Sequence, residues 1–88
     1  PTEQQMATPE AYEAYLAGKR QRLLSAYVDA VPKKVEQLES LLDKGEQAGL
    51  PNEQLDFARK KIAMLQQMKS QLELEVEELK LTYPELEQ

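Results

Sequence analysis

The chain of 88 residues contains no cysteine, no histidine and no tryptophan. Without cysteine there can be no disulfide, no thiol chemistry and no sulfur-ligated metal, and nothing points to an oxidising compartment. Without histidine the commonest general base and the commonest transition-metal ligand are both missing, which removes most enzyme classes. Long apolar runs are missing as well, so no segment reads as a membrane span. The opening stretch PTEQQMATPE has neither the basic nor the apolar part of a secretion signal, and a cytoplasmic location is expected. An initial proline fits either trimming of a Met or excision from a longer chain. No window alternates apolar and polar residues as a half-buried strand would, so β-structure is set aside.

What remains is rich in Glu, Gln, Leu, Lys and Ala, the composition of an all-α chain, and its length suits a single small domain. A first helix is expected over residues 9–48. Thr8 is a suitable N-cap, Pro9 suits the first helical position, and Glu10 and Glu13 sit near the positive end of the helix dipole. Residues 1–7 precede it as a frayed N-terminus. Tyr12, Leu16, Leu23, Tyr27, Val31, Val35, Leu38 and Leu42 follow one another at spacings of three, four or seven, the pattern of a helical stripe.

Pro32 falls inside that stripe. The flanking AVPKKV has no loop residues for a reversal, and Val31 would make a poor N-cap for a new helix. The reading is therefore one first arm that continues through Pro32 with a kink, at a cost of about 3 kcal/mol that packing must offset. The alternative is a three-helix bundle broken at Pro32. Reversal is written instead in GEQAGLPNEQL, with Gly49 for a left-handed C-terminal position, Leu50 for the apolar contact, Pro51 to block further helix and Asn52 as the next cap. The turn spans 49–52, the second helix 53–83, and 84–88 form a tail after Pro84.

In the second helix Leu55, Ile62, Lys69, Val76 and Tyr83 fall on one heptad position and Ala58, Leu65, Leu72 and Leu79 on the other, the seam of a coiled coil. The expected fold is a long, coiled-coil-like antiparallel helical hairpin with arms of roughly 60 and 45 Å. Lys19, Arg20, Arg22, Lys33 and Lys34 make the first arm basic in its middle, and Glu73, Glu75, Glu77 and Glu78 make the end of the second acidic. Folding at the turn sets these blocks roughly opposite each other. The segment GKRQR is thus assigned to internal pairing rather than to nucleic acid or lipid, with Arg20 reaching a glutamate. Lys69, charged at a seam position, fixes register or extends its stem along the seam.

Two short stretches resemble known families. EQLE at Glu36 to Glu39 and EQLD at Glu53 to Asp56 are similar to the E-x-x-E…E-x-x-D spacing of the all-α nucleoside-triphosphate pyrophosphohydrolases, the MazG-like family. The resemblance implies that Glu36, Glu39, Glu53 and Asp56 would bind Mg²⁺, which grips the phosphates and activates water. That would require a packing other than the hairpin. The stretch LLSAYVDAVPKKVEQLESLL resembles the first helix of 11S proteasome activator subunits, in which a Pro-Lys-Lys also interrupts a long helix.

The functional expectation is a non-enzymatic interaction module, an adaptor, small chaperone or assembly subunit that offers a helix face to a partner protein or to itself. Candidate partner-binding residues are Phe57, Met64 and Met68 on the second arm and Tyr15 and Leu24 on the first, because aromatic and Met side chains make adaptable contacts. No cofactor, metal, nucleic acid, membrane or small-molecule substrate is expected. The Mg²⁺-dependent enzyme is the alternative.

Overall fold

A computed structural model describes residues 8–87. Helix α1 spans Pro9–Gln47 and helix α2 spans Asn52–Thr82, packed antiparallel, and a 3-10 turn follows at Pro84–Glu87. The molecule is a hairpin about 62 Å long and 20 Å across. The expected fraying of residues 1–7 lies outside the described residues.

α1 begins as its sequence suggests, with the Ala11 N–H donating to the Thr8 hydroxyl at 3.0 Å. It runs unbroken through Pro32, so the three-helix alternative is set aside. Pro32 is exposed, and as a proline it has no N–H to donate to the Val28 carbonyl.

The reversal is a Schellman ending. Leu50 N–H donates to the Gly45 carbonyl and Gly49 N–H to the Glu46 carbonyl, both at 3.0 Å, with Gly49 at φ +73°. Gly45 is buried beneath it. A Cβ there would lie 2.8 Å from Leu55 Cδ2 and 3.2 Å from Leu50 Cδ1, so the absence of a side chain is what lets α2 close onto the end of α1. Asn52 does not cap α2 as expected. The cap position is Pro51, whose carbonyl accepts from Gln54 and Leu55, while Asn52 is already helical.

The seam of α2 is the expected one: Leu55 and Val76 are buried, and the other residues of both heptad positions, Lys69 included, are half-buried. The seam of α1 differs from expectation in its first half. Val31 and Val35 are buried, but Tyr12, Leu16, Leu23 and Tyr27 are exposed. Their places are taken by Ala14, Ala17, Gln21, Leu24 and Val28, which with Val31, Val35, Leu38, Leu42 and Gly45 form a strict heptad pattern of buried or half-buried residues. The reason is geometric. Each step of four residues advances about 40° around a straight helix, so a stripe built largely from steps of four spirals off the contact face. The segment after the helix is not a free tail: Leu86 is half-buried, with Cδ2 3.4 Å from where a Cβ on Gly18 would sit.

Candidate docking face

Two ion pairs show which side chains share a side of the hairpin. Arg20 on α1 donates through Nε to Glu75 on α2 at 2.9 Å, and its Nη2 meets the same carboxylate. Arg59 on α2 reaches Glu46 on α1 at 3.6 Å. In an antiparallel coiled coil the residues just outside the seam face their counterparts of the same heptad letter, so these pairs mark the two opposite flanks. The Arg20 expectation is met. The rest of the basic block does not cross over: Lys19 lies 5.8 Å from the ring of Tyr15, and no other basic residue of that block bridges to α2 among the described residues.

The flank of Arg20 and Glu75 carries the exposed apolar side chains. The heptad positions place Leu16, Leu23, Tyr27 and Leu41 of α1 there, beside Phe57, Met64 and Met68 of α2. Phe57 is 80 % exposed, Met64 62 % and Met68 38 %. A shallow groove whose lining includes Tyr27, Ala30, Lys34, Leu65 and Met68 crosses both arms at mid-length. Leu41 and Lys44 line one hollow together, and Phe57, Lys61 and Met64 another.

The opposite flank is acidic. Asp29, Glu36, Glu39, Asp43 and Glu46 of α1 lie on it with Asp56, Glu73 and Glu77 of α2, and the bases among them are Arg22, Arg59 and Lys80. Ser25 and Asp29 share a hollow there with Glu73, Glu77 and Lys80. Charge on the apolar flank is distributed along its length instead. Glu13 and Glu78 lie towards the open end, and Lys34, Lys61 and Lys44 lie in the half nearer the turn.

The anticipated partner-binding residues therefore divide. Phe57, Met64 and Met68 come together on the apolar flank. Leu24 is 6 % exposed and belongs to the seam, so it offers nothing to a partner, a correction that follows from the shifted heptad of α1. Tyr15 is half-buried, stacked on Tyr12 with ring centroids 6.4 Å apart, and borders a hollow with Gly18, Glu85 and Leu86 away from the apolar flank. Leu16, Leu23 and Tyr27, which the sequence reading placed in the apolar stripe of the first helix, are exposed on this flank. Their steps of four were the available signal. Leu74 and Leu81 are exposed on the back of α2, outside both flanks.

The carboxylates of the E-x-x-E…E-x-x-D pattern are not brought together. Among the described residues no group of three acidic side chains is placed to hold a metal ion, and Asp56 is bonded to Arg59 at 2.9 Å. No buried side-chain polar atom lacks a partner among them, and neither helix is long and apolar enough to cross a membrane. Comparison with protein-family models, with curated proteins and with solved structures found no match.

Proposed function

We propose that this protein is a non-enzymatic helix–helix interaction module, an adaptor, small chaperone or assembly subunit that docks through the flank bearing Leu23, Tyr27, Phe57, Met64 and Met68. The observation that carries the reading is the division of the hairpin into one flank of large exposed apolar side chains drawn from both arms and another that is mostly acidic. Large exposed apolar side chains gathered on one side of a molecule are a usual mark of a protein-binding site, and Met and aromatic side chains adapt to a helical partner. A protein partner is favoured over nucleic acid because the net charge is −5 and the positive charges of the face are dispersed among apolar groups. A cytoplasmic setting goes with this reading, since the chain draws nothing from an oxidising compartment.

The test is a photo-cross-linking residue at Met64, with the same residue at Ser70 on the other flank as control. Covalent protein adducts, with the same or another chain, are expected from position 64 and not from 70. No adduct from 64, or Mg²⁺-dependent hydrolysis of a nucleoside triphosphate by the pure protein, would defeat the reading.

A further inference from the structure

Resting on that reading, we infer that the partner is an acidic amphipathic helix, lying along the groove between the two arms in the half nearer the turn. The register of the apolar flank is marked by Arg20 against Glu75. One heptad towards the turn on both arms, Tyr27 and Met68 line the same groove, so the register holds. One heptad further stand Lys34 and Lys61. Positions that pair opposite charges in one layer thus oppose like charges two heptads on, which is unfavourable in the free hairpin and is relieved by a carboxylate placed between the two ammonium groups.

Other lysines extend this positive charge around the apolar side chains. Lys33 and Lys34 line the mid-length groove, Lys33 and Lys44 the hollow of Leu41, and Lys60 and Lys61 the hollow of Phe57 and Met64. None of the five forms an ion pair among the described residues. The acids of the same half lie elsewhere: Glu39, Asp43, Glu46 and Asp56 on the opposite flank and Glu53 on the back of α2, while Asp29 and Glu36 reach the edges of the first two hollows. The apolar floor calls for an apolar stripe, and the lysines call for carboxylates beside it. A helix fits better than an extended peptide, because both arms are helices whose backbone groups bond within themselves and leave no strand edge to pair with. From Tyr27 to Lys44 the groove runs about 26 Å at 1.5 Å per residue, the length of about five helical turns. An anionic membrane would meet the same lysines, but Glu13 and Glu78 share this flank at its open end and would be pressed against it.

A display library tests this: helices of about five turns with Leu at both seam positions and either Glu or Lys at the positions beside them, selected against the full chain. Selected clones are expected to carry Glu, and a labelled acidic clone should bind with an affinity that falls as salt rises. Lys34→Glu together with Lys61→Glu weakens that clone about tenfold or more and turns the selection towards Lys. Lys34→Glu alone also weakens it, yet raises the thermal midpoint of the free chain, because a repulsion across the groove becomes an attraction. Circular dichroism reads that midpoint and confirms that each variant stays helical. Selection without a Glu bias, or a midpoint that does not rise with Lys34→Glu, overturns the inference. Binding to vesicles of phosphatidylserine and phosphatidylcholine with no clone selected overturns it in favour of a membrane surface. With protein adducts from position 64, any of these results would leave the interaction-module reading intact; the absence of any adduct would end both.

Discussion

Pro32→Ala should stabilise this protein, and by an amount large enough to decide whether the helix truly passes through position 32. Proline inside a helix costs about 3 kcal/mol relative to alanine, from the lost hydrogen bond and the crowding of the preceding turn. Here residues on both sides are helical and Pro32 is exposed, so its replacement removes no core contact. Alanine supplies the missing N–H to the Val28 carbonyl. Against this, the unfolded chain regains freedom that proline had denied it, worth about 0.4–1 kcal/mol. The net gain is about 2 kcal/mol, or roughly 10 °C in melting temperature for a domain of this size. Urea denaturation followed by circular dichroism at 222 nm, at one fixed protein concentration, reads it as a raised midpoint with an unchanged slope. Unchanged or reduced stability would mean that Pro32 starts a separate helix, where its fixed φ is an asset, and the hairpin would have to be abandoned.

Three further substitutions probe the packing. Leu24→Ala should cost about 2–4 kcal/mol as a buried large-to-small change, whereas Leu23→Ala, measured on dilute monomer, should stay within about 0.5 kcal/mol; the reverse order of urea midpoints would refute the seam of α1. Gly49→Ala should cost about 1 kcal/mol from the positive φ alone, because nothing lies within 4 Å of the added Cβ, and a neutral thermal melt would contradict the Schellman turn. Arg20→Ala should cost less than about 1 kcal/mol, and the difference should vanish in 1 M NaCl, since the pair with Glu75 is solvent-exposed. A larger loss that persists in salt would show that Arg20 acts through packing instead.

The parts of this structure that could be read in advance are those where local chemistry and long-range packing ask for the same residues. Thr8 and Pro9 at the start of α1, Gly49 at its end and the regular heptads of α2 each satisfy a short-range requirement that no tertiary contact opposes. The first half of α1 is different, because two apolar stripes overlap there and only the partner helix chooses between them. By bulk, Tyr12, Leu16, Leu23 and Tyr27 look like core, and Ala14, Ala17 and Gln21 look like surface. The hairpin selects the second set because small side chains permit close approach of α2 and its C-terminal turn, as Leu86 beside Gly18 illustrates. The bulky set is thereby displaced to one flank, where it meets Phe57, Met64 and Met68. The same ambiguity thus hid both the register of the core and half of the exposed apolar flank. A flank of this kind is hard to see in a single sequence for a physical reason: an apolar residue fits its periodicity equally well on the seam or beside it, and only the geometry of the folded hairpin shows which residues the seam already holds.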